Sequence, residues 1–97
     1  AKEFRTWNAT VLMALLLADA APPTTTRQRT RVIAGCVRGV AELLGDTPTV
    51  TRKSYIDPRL ITRYEADGQL PTVPVRPAAL PVPPEAELAV ARLLADG

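Results

Sequence analysis

A tyrosine placed beside two cations is the first feature of this 97-residue chain that could do chemistry. In "TPTVTRKSYIDP", Thr47 to Pro58, Tyr55 follows Arg52 by three residues and Lys53 by two. A phenol titrates near pH ~10 in water, so attack at neutral pH needs groups that stabilise the phenolate, and nearby cations do so. On a helix, Arg52 at i−3 shares the face of Tyr55. If the electrophile is a phosphate, its non-bridging oxygens need donors as well, and a guanidinium offers them as a rigid bidentate fork. A second arginine must then come from another part of the chain. The competing reading is a half-buried tyrosine anchor with a wet hydroxyl, and spacing alone leaves both open.

The elements that would position this tyrosine read as helices. From Phe4 to about Ala20, Trp7, Val11, Leu12, Leu15 and Leu16 recur at helical spacing until "APP" at Ala21 to Pro23 stops them. "TTT" then supplies hydroxyl caps for a second helix, whose apolar stripe runs through Val32, Ile33, Cys36, Val37, Val40, Leu43 and Leu44 to Gly45. Its polar flank carries Arg27, Arg29, Arg31 and Arg38, which either track a phosphate backbone or solvate an amphipathic helix. Thr47-Pro48 reads as the cap and first residue of a short third helix bearing Arg52 and Tyr55, and Asp57-Pro58 repeats the signal for a fourth that ends near Asp67-Gly68.

Beyond Gly68 the composition shifts. Gln69 to Pro84 contains six prolines, too many for a helix or a central strand, and predicts an extended linker at a domain edge. "EAELAVARLLADG" then predicts an amphipathic helix through Leu88, Ala91 and Leu94, with acids in its first turn, which folds back or docks on a partner. The expected architecture is all-α: about four helices in residues 1–68, a linker in 69–84 and a terminal helix in 85–97.

Composition narrows the functional classes. A chain that is 46% hydrophobic over this length suits one small domain. No apolar run reaches the ~20 residues a bilayer span requires, and "VLMALLLADA" reads as core. Cys36 has no intrachain partner and histidine is absent, which removes disulfides and the common zinc-ligand sets and makes a metal-free intracellular protein the expectation. Charge is lopsided: Ala1 to Tyr64 holds ten Lys and Arg against five Asp and Glu, while Glu65 to Gly97 holds two against five. The front two-thirds therefore faces anions, nucleic acid above all.

Two segments carry a family resemblance. "KEFRTWNATVL", Lys2 to Leu12, resembles the Lys-Asp-Phe/Leu-Arg-Thr-Trp/Tyr box of the poxvirus and bacterial branch of type IB DNA topoisomerases, and "GDTPTVTRKSYIDPRLI" resembles that family's active-site tyrosine segment. The resemblance spans roughly Ala1 to Glu65, in the right order. It implies a helical catalytic domain on double-stranded DNA, acting without ATP or metal through a 3′-phosphotyrosyl intermediate. Tyr55 would be the nucleophile and Arg5 a phosphate-binding arginine, with Lys2, Arg52 and Lys53 along the DNA backbone. Asp46, nine residues before the tyrosine, stands where the family usually has His or Asn. A carboxylate there either meets the phosphate, which it repels unless protonated, or serves the start of the helix at Thr47-Pro48.

The family also uses an arginine and a general-acid lysine from before the Arg5 box, where this chain begins. The expectation is a piece of a longer monomeric, cytoplasmic and nucleoid-associated enzyme, inactive by itself. Two other classes stay open: a tyrosine recombinase C-terminal segment, which shares the Arg and Tyr chemistry, and a non-enzymatic helical DNA-binding module in which Arg5 and Tyr55 need not meet.

Overall fold

The computed structural model describes residues 2–20, 22–70 and 73–96, with the side chains of 2–4 and 96 outside the described set. It is all-α, with no strand among the described residues. The first helix, α1 (Lys2–Asp19), is the hub. Seven of its apolar side chains from Ala9 to Leu17 are at most 2% exposed, so the helix is enclosed on every side rather than along one stripe. Its neighbours explain this: α2 (Thr26–Leu44), α4 (Pro58–Asp67), α5 (Pro84–Asp96) and the turn that carries Tyr55 all pack against it.

Local chemistry sets the helix ends. Thr25 caps α2 by accepting the Gln28 N–H, and Gly45 closes it at φ 71°, a left-handed conformation that glycine adopts without a Cβ penalty. The α2 stripe buries Ile33, Cys36, Val37 and Val40, whereas Leu43, expected with them, is exposed. At Gly39 the two long helices come close enough that an added Cβ would lie 3.0 Å from Leu16 Cδ1. Asp57 caps α4 by accepting the Arg59 N–H at 2.9 Å, and the Arg59 side-chain hydrogen bond holds the Asp57 carboxyl below its ordinary value. Gly68 ends α4 at φ 73°.

Three sequence expectations are corrected. The third helix does not continue as an α-helix: α3 (Pro48–Val50) passes directly into a π-helical turn, Thr51–Tyr55, closed by Ile56 N–H donating to Thr51 C=O at 3.0 Å. Arg29 is not a solvated flank residue; its guanidinium donates to the Glu65 carbonyl and lies against Gly68, placing a cation on the C-terminal end of α4 where the helix dipole is negative. The terminal helix buries Ala86, Val90 and Leu93, not Leu88 and Ala91, which are exposed.

That terminal helix folds back onto α1, and Trp7 Nε1 donates to Glu87 Oε1 at 3.1 Å. Between α4 and α5 the described residues form neither helix nor strand, as the prolines require, yet Leu70, Val73 and Val82 are buried in the same hydrophobic cluster as α1. Among the described residues no helix is long and apolar enough to cross a membrane.

Candidate active site

Fifty residues separate Arg5 from Tyr55 in sequence, and the fold brings them together. α1 carries Arg5 on its first turns, and the π turn delivers Tyr55 to the flank of the same helix. The Arg5 Cζ stands 5.6 Å from the centroid of the Tyr55 ring, inside the ~6 Å range of a cation–π contact. The Arg5 side chain is 48% exposed, so part of its donor fork faces solvent, and Tyr55 is half-buried.

The third member is Asp46, on the link between α2 and α3. Its Oδ2 lies 3.6 Å from Arg5 Nη1 while Oδ1 accepts the Thr47 N–H at 2.8 Å. Thr47 itself is the helix cap, accepting the Val50 N–H at 3.3 Å. Asp46 therefore serves the helix start with one oxygen and the Arg5 guanidinium with the other. A partly exposed pair of this kind contributes about 0–1 kcal/mol, so a competing anion can displace the carboxylate at little cost.

Arg52 and Lys53 are exposed and line a groove of about 790 Å³ with Arg38, Ala34, Val37, Pro48, Thr49 and Pro58. Three cations and no acid line this groove, and none of the three is ion-paired among the described residues. The cation over the Tyr55 ring is thus Arg5, from another helix, while Arg52 belongs to the groove. The side chain of Lys2 lies outside the described residues.

One contributor is invisible to motif reasoning. Thr10 is 2% exposed on α1, and its hydroxyl donates to the Thr6 carbonyl at 2.9 Å and faces the Tyr55 carbonyl at 3.3 Å. The same oxygen accepts the Asp57 N–H at 3.1 Å. It ties the end of the π turn and the start of α4 to the helix that carries Arg5. The only signal in the sequence is a polar residue inside an apolar run, which does not name its partners. Thr51, fully buried in the same turn, has a hydroxyl with no hydrogen-bond partner among the described residues.

Chemically, the arrangement offers an anion-binding guanidinium beside a phenol, with the guanidinium partly neutralised by a displaceable carboxylate. Among known families, the model for the eukaryotic DNA topoisomerase I catalytic core matches residues 1–68, from the start of α1 to Gly68 at the end of α4. No curated protein gives a significant match.

Proposed function

Because the chain belongs to the DNA topoisomerase I catalytic-core family, a type IB topoisomerase domain, we propose that it supplies the nucleophile and one anion-binding arginine for DNA strand cleavage. Tyr55 attacks the scissile phosphodiester, the bond to the 5′ oxygen breaks, and the strand is held as a 3′-phosphotyrosyl ester. The ester conserves the energy of the cleaved bond, so religation needs no nucleotide. Arg5 donates to the non-bridging oxygens as charge builds there, an interaction worth about 3–4 kcal/mol on the scale of one oxyanion donor. Arg52 and Lys53 follow the backbone of duplex DNA, where each neutralised phosphate releases counterions and steepens the dependence of affinity on salt.

The observation that carries the reading is the Arg5–Tyr55 contact itself. A helical module that merely binds DNA has no need to bring these two side chains from opposite ends of a matched region to 5.6 Å. The boxes "KEFRTW" and "TPTVTRKSYIDP" favour the poxvirus and bacterial branch within the family. The family's reaction also uses a second arginine and a lysine that protonates the departing 5′ oxygen, and neither belongs to the two boxes of this chain. The chain alone is then expected to bind DNA weakly, in a salt-sensitive way, and to cleave none.

The test is covalent capture. The intact enzyme carrying this chain, given a nicked suicide duplex without ATP or magnesium, is expected to form a protein–DNA adduct that survives denaturation. Adduct formed equally by Tyr55→Phe, or plasmid relaxation by the isolated 97-residue chain, overturns the reading.

A further inference from the structure

We propose that Thr10 is the positioning residue that sets the reach of Tyr55, acting through the main chain and not through the phosphate. The inference rests on the reading of Tyr55 as nucleophile. Its basis is one buried oxygen with three backbone partners: the Thr6 carbonyl at 2.9 Å, the Tyr55 carbonyl at 3.3 Å and the Asp57 N–H at 3.1 Å. The first partner lies on α1 itself, and the other two bracket Ile56, the residue that leaves the π turn and enters α4.

The geometry explains why a clamp is needed here. A π turn closes an i→i+5 ring, is rare beside the α-helical ring, and occurs mostly as a single turn at functional sites. Within the turn, Tyr55 C=O is the last carbonyl, and its own chain gives it no continuing helix: Ile56 is extended at φ −88° and ψ 128°. Thr10 faces that carbonyl from α1 and holds the next free N–H, so the Cα of Tyr55 is fixed against the helix on which Arg5 sits five residues earlier. Because a displacement of about 1 Å in a reacting group can cost 10²-fold in rate, fixing that main chain matters to chemistry without contacting substrate.

The hydroxyl and the methyl of Thr10 can be separated experimentally. Thr10→Val keeps the buried methyl and loses the clamp; Thr10→Ser keeps the clamp and loses the methyl. In the intact enzyme on a nicked suicide duplex, Thr10→Val is expected to slow single-turnover cleavage at saturating DNA by roughly 10- to 100-fold, with DNA affinity within twofold of the parent. Thr10→Ser is expected to cleave within about threefold of the parent, even where its thermal midpoint falls as far as that of Thr10→Val.

A rate that follows the thermal midpoint instead of the hydroxyl, with both variants equally slow, overturns the proposal. So does Thr10→Val cleaving as fast as the parent. Circular dichroism at the assay temperature confirms that each variant is folded. Tyr55→Phe in the same assay separates the two ideas: adduct formed without the phenol refutes the nucleophile reading, whereas no adduct from Tyr55→Phe with a fast Thr10→Val refutes only the clamp.

Discussion

The chain has two tyrosines, and Tyr55 and Tyr64 differ in burial and in what touches their rings. Tyr64 is 1% exposed on the inner face of α4, and its hydroxyl has no hydrogen-bond partner among the described residues. Burial there pushes its phenol up, with Cys36 adding to the shift and Arg29 opposing it. Tyr55 is half-buried at the end of a π turn, with Arg5 over its ring. One phenol is packing material whose ionisation the fold resists. The other is presented beside a cation, so the type of residue says less about function than the company the fold supplies.

Removing each phenol tests that contrast most severely. Tyr55→Phe is expected to abolish the covalent DNA complex, while Tyr64→Phe leaves it intact and changes stability by no more than about 1 kcal/mol, since the lost hydroxyl had no partner. Denaturing-gel capture and thermal melts read the two outcomes. A dead Tyr64→Phe with normal folding would break the comparison.

Next in size is Arg5. Arg5→Ala is expected to lower single-turnover cleavage by about 10²- to 10³-fold, the scale of one preorganised donor to a developing charge. Arg5→Lys should recover only part, because an ammonium replaces the bidentate fork with a point charge. Equal cleavage by Arg5→Ala would make the contact over Tyr55 a matter of packing only.

The Asp46 effect is smaller and opposite in sign. Asp46→Asn keeps an acceptor for the Thr47 N–H but gives up the charge facing Arg5. Freed of a pair worth about 0–1 kcal/mol, Arg5 should engage phosphate more readily and speed cleavage by up to about fivefold. Slower cleavage in rapid-quench assays would show instead that the carboxylate holds Arg5 in its working place.

The last expected effect is alkaline and bears on stability, leaving cleavage at neutral pH untouched. Burial raises the Cys36 thiol from near 9 to about 11, the same direction as Tyr64. The folded state thus keeps a proton that the unfolded chain releases, so stability is complete below pH ~9 and declines as pH rises towards ~11. Cys36→Ala should flatten part of that slope in denaturant titrations. A thiol reagent at pH 8 should label Cys36 only as fast as the domain opens.

Much of the fold was legible because its punctuation is local. Thr25, Thr47 and Asp57 cap the helices they precede, and Gly45 and Gly68 end theirs with positive φ. The box around Arg5 and the segment around Tyr55 were legible as motifs. What escaped was each feature that depends on a neighbour distant in sequence. Leu88 was expected inward on α5, yet Ala86, Val90 and Leu93 are the residues buried in the cluster around α1, a choice of face that the helical spacing alone does not fix. Arg29 looked like one of four surface arginines until α4 ended beside it.

The amino-acid sequence by itself determined the number of helices, their caps, the proline-interrupted stretch and the two boxes, since these follow from propensities and hydrogen bonds reaching four or five residues. Tertiary structure alone decided that the cation over Tyr55 is Arg5 and not Arg52. It also decided that Asp46 shares itself between a helix start and that arginine, and that the Thr10 hydroxyl grips the end of a π turn. The physical reason is range. A helical spacing fixes which residues share a face only while the turn stays α-helical, and the π turn changes that spacing at Tyr55 itself. Which side chain then meets the phenol depends on how α1 packs, and that is settled by burying its apolar residues on all sides at once.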